Sequence, residues 1–140
     1  MKILVAVDGS IFTKHAVSYL LQHFDLLGRD AALTLINVHA PIPPQAAAHL
    51  GRATVQAYYH DEAEKSLKGA RTALTRAGIA FEDTWKVGNA GDEISDYASK
   101  GKFDLVIMGS HGHGLFKNLV LGSVATRVLA GCKVPVLLVR

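Results

Sequence analysis

Apolar and polar positions along this chain alternate between two rhythms. Ile3 to Val7 is an uninterrupted apolar run that stops at Asp8-Gly9-Ser10, the pattern of a strand covered on both faces and ended by a polar loop. Ala16, Val17, Leu20, Leu21, Phe24 and Leu27 then recur at helical spacing up to Gly28, which predicts a first helix capped by Ser10 or Thr13. Leu33 to Val38 reads as a second strand running to His39. Pro41, Pro43 and Pro44 open a connection to which no element is assigned through about residue 54. From Val55 the spacing of Ala63, Leu67, Ala70 and Leu74 predicts a long helix ended by Gly78.

The next segment has a different period. Ile79, Phe81, Trp85 and Val87 fall on one parity and Glu82, Thr84 and Lys86 on the other, as in a strand near a sheet edge. Asn89 is placed to cap a third helix, with Asp92 and Glu93 at its positive end and Ile94, Tyr97 and Ala98 as its buried stripe up to Gly101. Leu105 to Met108 reads as a buried strand, Ser123 to about Ala130 as a helix, and Val134 to Val139 as a last strand. Pro135 restricts that last strand to an edge or a pairing irregularity. Strands alternating with helices predict an α/β fold: a parallel sheet with helices on both faces, in a flavodoxin-like or Rossmann-like order. Ligands in such folds collect beyond the carboxyl ends of the strands, where the winding reverses. If the first and fourth strands are neighbours, Asp8 and the loop from Gly109 face each other there.

Composition narrows the class without changing the fold. The 140 residues fit a single domain, 1–140, and 49% hydrophobic with 19% charged residues is globular composition. No apolar run approaches the roughly 18 residues of a membrane helix, and the N-terminal run is too short for a signal peptide, so a soluble chain is expected. The one cysteine, Cys132, excludes a disulfide framework and suits a reducing cytoplasm. A net charge of +3, with basic residues scattered and not interleaved with aromatics, argues against nucleic acid as a partner.

The chemistry concentrates where the fourth strand meets the next helix. Gly109-Ser110-His111-Gly112 is followed by Gly122-Ser123. Glycines at these intervals let backbone N–H groups approach an anion, and Ser123 is placed to cap a helix whose positive end faces the same spot. The segment matches neither the dinucleotide fingerprint nor a Walker A loop. Nor is Met108-Gly109-Ser110-His111-Gly112 a nucleophile elbow, since Met108 stands where glycine is required and adjacent Ser and His side chains on a turn are expected to diverge. His39, His111 and His113 lack the spacing of a metal motif. Phosphoryl transfer finds no evident base and only Lys117 or Arg127 as nearby cations.

The Gly-x2-Gly-x9-Gly-Ser spacing of Gly109, Gly112, Gly122 and Ser123 resembles that of the universal stress protein family. The Val-Asp-Gly-Ser after the first strand, Val38-His39, the run from Asp104 to Gly112 and the closing Val-Pro-Val-Leu-Leu-Val extend the resemblance over essentially the whole chain. It implies a five-stranded parallel sheet in order 3-2-1-4-5, a homodimer joined through the C-terminal strand, and binding of ATP or a related adenine nucleotide, with Mg2+ arriving on the phosphates. Carried over by position, Asp8 and Val38 lie on the adenosine side, Val38 offering backbone hydrogen bonds to the base and Met108 an apolar wall. Gly109, Ser110, His111 and Gly112 wrap the phosphates, and Gly122, Ser123 and Val124 supply N–H groups and a hydroxyl. Residues 113 to 121 follow the family less closely, and no contact is carried onto His113, Gly114 or Lys117. The resemblance implies a cytoplasmic, nucleotide-responsive regulator of the stress response with at most slow hydrolysis. The alternatives are a slow adenine-nucleotide hydrolase at the same crevice and a ligand-free structural dimer module, the latter opposed by the intact glycines.

Overall fold

A computed structural model describes residues 1–114, 118 and 120–140. Five parallel strands form one sheet: β1 (Lys2–Ala6), β2 (Ala32–His39), β3 (Phe81–Val87), β4 (Leu105–Gly109) and β5 (Val136–Val139), in the order β3-β2-β1-β4-β5. The helices are α1 (Ile11–Gln22), α2 (Phe24–Leu27), α3 (Pro44–Leu50), α4 (Arg52–Arg76), α5 (Ala90–Lys100) and α6 (Ser123–Gly131).

The parity of each strand residue decides which core it joins. Ile3, Val5, Leu33, Leu35 and Ile107 pack with Ala16, Val17 and Leu20 of α1 and Leu67, Ala70 and Leu74 of α4. Leu4, Ala6, Ile36, Val106 and Met108 pack on the opposite face with Ile94 and Ala98 of α5 and Ala125 and Val128 of α6. Both faces of β1 and β4 are therefore covered, which is why these strands read as unbroken apolar runs. The first two crossovers lie on one face and the last two on the other, so the winding reverses between β1 and β4.

Three local expectations are corrected. The first helix does not run unbroken to Leu27: it stops at His23, whose ring stacks on Tyr19 at 4.2 Å and whose Nδ1 lies 2.9 Å from the Tyr19 carbonyl. Ser10 is its cap, accepting from the Thr13 N–H at 3.3 Å, and Gly28 follows the short α2 at φ 95°. The connection from 41 to 54 contains α3, with Pro44 in its first turn and no buried residue. It also contains the start of α4 at Arg52, three residues before the expected Val55, with Gly51 at φ 80° between the two helices. Finally, Gly122 is the N-cap of α6, and Ser123 is its first helical residue.

Two tertiary locks hold the sheet against its helices. Arg71 of α4 bonds both carboxylate oxygens of Asp83 on edge strand β3, at 2.7 and 3.0 Å, and both of Glu64, at 2.6 and 3.2 Å. The hydrogen bonds from Arg71 hold the Glu64 carboxyl below the ordinary range, against a smaller opposing effect of burial. At the other lock, Gly109 lets α1 lie on the end of β4: a Cβ there would come within 2.6 Å of the Phe12 Cβ and 2.9 Å of its carbonyl carbon.

Both locks are testable by denaturation. Gly109→Ala forces α1 off β4 and lowers unfolding stability by about 1–3 kcal/mol in urea titrations. Arg71→Ala is less stable than the parent at neutral pH. Because the Glu64 carboxyl is depressed in the folded state, that share of stability is present above the ordinary carboxylate range. It is lost as pH falls below it, so the two urea midpoints converge in acid. A difference independent of pH would show that Arg71 acts only through packing.

Candidate functional site

At the reversal point, the carboxyl ends of β1, β2 and β4 and the N-termini of α5 and α6 enclose a cavity of about 520 Å³. That volume falls within the range of small-molecule sites, roughly 300–1,000 Å³. Its walls differ at the two ends.

One end is apolar, formed by Ile36 and Val38 of β2, Met108 of β4, and Ala90 and Ile94 of α5. Its polar groups are backbone. The Ile36 carbonyl accepts from the Val7 N–H at 2.8 Å and the His39 carbonyl from the Gly88 N–H at 2.8 Å, so even-numbered residues of β2 point toward β1 and odd-numbered ones toward β3. Val38 is even, but β1 pairing has ended at Ala6–Ile36. The Val7 carbonyl, which the Val38 N–H would reach if the ladder continued, accepts instead from Asn37 Nδ2 at 2.7 Å. Among the described residues the Val38 N–H and C=O have no hydrogen-bond partner.

The other end is the glycine loop. The Gly122 N–H donates to the Ser110 carbonyl at 2.8 Å, folding the chain back so that the start of α6 lies beside the end of β4. A Cβ on Gly122 would stand 3.0 Å from the His111 Cα and 3.2 Å from the Ser110 carbonyl oxygen. The two helix N-termini on this face differ. Asn89 caps α5 by accepting from the Asp92 N–H at 3.1 Å, with Asp92 and Glu93 in the first turn. Among the described residues the start of α6 has no side-chain cap and no acidic residue in its first turn, which leaves its first N–H groups without a partner there.

Asp8 joins the two ends. Its Oδ1 accepts from the Ser10 N–H at 2.9 Å and from the Thr13 hydroxyl at 2.6 Å, and Thr13 Oγ1 accepts in turn from the Asp8 N–H at 3.0 Å. Its Oδ2 faces the loop, where a Cβ on Gly112 would come within 2.9 Å. The carboxylate is thus fixed by α1 through one oxygen and presented to the cavity through the other.

Of the residues singled out in the sequence, Asp8, Val38, Met108, Gly109, His111, Gly112, Gly122, Ser123 and Val124 line this one cavity. Ser110 does not. It is 1% exposed, its N–H donates to the Val139 carbonyl at 2.8 Å, and its Oγ lies 2.8 Å from His111 Nδ1. Adjacent Ser and His side chains therefore do meet, contrary to expectation, because the chain turns sharply after β4. Burial still keeps the hydroxyl away from the cavity. Arg127 is no free cation either: Nε and Nη2 bond the Asp92 carboxylate at 2.7 and 2.8 Å, which holds that carboxyl below its ordinary range. Lys117 lies outside the described residues. The cavity also takes in Thr13, Ile36, Ala90, Ile94, His113 and Gly114, none of them assigned from the sequence. For Thr13 a signal existed, since it lies three residues after the Ser10 cap.

The universal stress protein family model matches residues 1–140. Universal stress protein Slr1230 of Synechocystis is 33% identical over 140 residues, covering 99% of this chain. The chain in turn spans 42% of the length of that relative. The structure of MJ0577 from Methanocaldococcus jannaschii superposes with a TM-score of 0.82 at 27% identity, covering 99% of this chain and 94% of its own. A universal stress protein solved in complex with cAMP superposes with a TM-score of 0.72 at 26% identity, covering 100% of this chain and 97% of its own. With its 3-2-1-4-5 sheet and a family match from end to end, this chain belongs to the universal stress protein family.

Proposed function

We propose that this chain binds ATP or a related adenine nucleotide in the cavity between β1, β2 and β4 and acts as a nucleotide-responsive regulator in the cytoplasmic stress response. The observation that carries the reading is the pairing of two unfilled sets of backbone groups in one cavity. At the apolar end, the Val38 N–H and C=O offer one donor and one acceptor between hydrophobic walls, the combination a flat heteroaromatic base requires. At the other end, the glycine loop and the uncapped start of α6 offer N–H groups to phosphate.

Asp8 Oδ2 stands between the two ends, where a ribose hydroxyl donates to it, and Met108 closes the wall behind the base. Gly109, His111, Gly112, Gly122, Ser123 and Val124 surround the phosphates, whereas Ser110 holds the loop from behind. Mg2+ enters on the nucleotide, whose phosphate oxygens supply its ligands. The relative solved with cAMP supports an adenine nucleotide as the ligand class. A retained nucleotide regulates by favouring whichever conformation or assembly binds it better.

The assembly we propose is a homodimer through β5. The two edges of the sheet differ: β3 carries Glu82, Asp83 and Lys86, the charges that blunt an edge, whereas β5 is Val-Leu-Leu-Val. The carbonyls of Pro135 and Val139 accept from Val106 and Ser110, so by alternation the N–H and C=O of Val136 and Leu138 point outward from the sheet. A second copy satisfies that edge.

Mass spectrometry of the gently purified protein, followed by calorimetric titration, tests the ligand: an adenine nucleotide is retained and rebinds, and no affinity for any of them overturns the reading. Gly122→Val weakens nucleotide binding at least about tenfold with the sheet still folded, because its side chain pushes the loop from the start of α6. Unchanged affinity in the folded variant would remove the loop from the site. Sedimentation velocity tests the assembly. The parent runs as a dimer and Leu138→Pro, which removes an outward N–H, as a monomer at equal concentration. A monomeric parent overturns the β5 interface.

A further inference from the structure

The described residues lining the cavity include three ionisable side chains, Asp8, His111 and His113, and no lysine or arginine. Asp8 repels a phosphate. The start of α6 contributes the equivalent of only about half a positive charge, and Arg127 on the same helix is engaged by Asp92. Compensation of a phosphate by the described lining therefore falls to the two histidines.

They are held differently. His111 lies against the Phe12 ring at 4.9 Å, with Nδ1 2.8 Å from Ser110 Oγ. His113 reaches across the cavity mouth: its Nε2 lies 2.6 Å from the backbone carbonyl of Asp8, linking the loop after β4 to the loop after β1. A carbonyl only accepts, so Nε2 carries the hydrogen in this arrangement and Nδ1 is the atom that takes up a second proton. The ring is solvent-exposed.

Asp8 and His111 are the other ionisable residues among the described lining that His113 shares. The loop after β1 contributes the Asp8 carboxylate. Thr13 of α1, Ser123 of α6 and Ala90 and Ile94 of α5 contribute no charge, and His111 on its own loop is the one described like-charge competitor. Without ligand, Asp8 Oδ1 is already satisfied by Ser10 and Thr13. A phosphate bound in the cavity would be a second anion there.

We propose that His113 is a phosphate-holding cation of this site, and that nucleotide binding is coupled to uptake of a proton on its Nδ1. This rests on the adenine-nucleotide reading above and adds its regulation: affinity rises as pH falls through the range in which histidine side chains gain charge, by at most tenfold per pH unit for one proton. A fall in pH then loads the protein with nucleotide without any change in nucleotide concentration.

Calorimetric titration with ADP at pH 7, in buffers of different ionisation enthalpy, counts the protons taken up. Repeating it on His113→Gln subtracts protons gained or lost by ADP itself. Glutamine keeps an amide N–H for the Asp8 carbonyl, so the tie across the mouth survives while the charge does not. The parent takes up a substantial fraction of a proton more than the variant, and between pH 8 and pH 6 its affinity rises about fivefold more. His113→Lys, a permanent cation, binds well at both pH values without that additional rise. Equal proton counts and parallel pH profiles in parent and His113→Gln overturn the proposal while leaving nucleotide binding intact. Absence of binding by all three proteins at every pH overturns the nucleotide reading itself.

Discussion

The candidate site depends on one backbone hydrogen bond, from the Gly122 N–H to the Ser110 carbonyl at 2.8 Å. It closes the loop that leaves β4 and sets the start of α6 beside the strand end it came from. The bond is short because glycine stands at 122, where a Cβ would lie 3.0 Å from the His111 Cα. The same close packing recurs behind it, where Gly109 admits the backbone of Phe12. Two glycines thus let α1 and α6 converge on the end of β4 from opposite faces of the sheet. The fold supplies the reversal between β1 and β4; the glycines bring it close enough to surround a small molecule.

That geometry also sets the electrostatics. Among the described lining residues there is no lysine or arginine, and the polar groups are oriented backbone N–H groups, the Asp8 carboxylate, the Thr13 and Ser123 hydroxyls and two imidazoles. Backbone dipoles are fixed before the ligand arrives and need no reorganisation. The neighbouring ion pair of Arg127 with Asp92 braces α6 against α5 and keeps the guanidinium away from the cavity.

The elements that proved legible in the sequence were those whose side chains are buried on a regular period. β1, β2 and β4 are apolar runs because both faces of the sheet are covered, and α4 shows its 3–4 spacing because Ala63, Leu67, Ala70 and Leu74 are all buried. α3 was missed for the converse reason: none of its residues is buried, so no period marks it, although Pro44 and Gly51 frame it as start and stop signals. The break at His23 was hidden because Phe24 and Leu27 pack on the same core and continue the pattern across it. In the cavity, glycine spacing pointed to the loop. His113 did not stand out, since its tie to the Asp8 carbonyl joins positions 105 apart and is set by the β1–β4 pairing.

Asn37 shows what the open apolar end of the cavity requires of the fold. Its side chain is 1% exposed, and by bonding the Val7 carbonyl it takes the acceptor that the Val38 N–H would otherwise use. A valine or isoleucine at 37 would suit a buried strand better and would let the ladder run on by one bond. Instead, Asn37 Oδ1 is buried without a hydrogen-bond partner, as is His39 Nε2 two residues on along the same face. Each such group costs about 1–3 kcal/mol relative to a satisfied one. Local rules broken at one point, where sequence and fold otherwise agree, are the mark of a position retained for what it exposes. Here the exposed element is the Val38 backbone edge, and the strand that forgoes its last pairing is the one that lines the apolar end of the cavity.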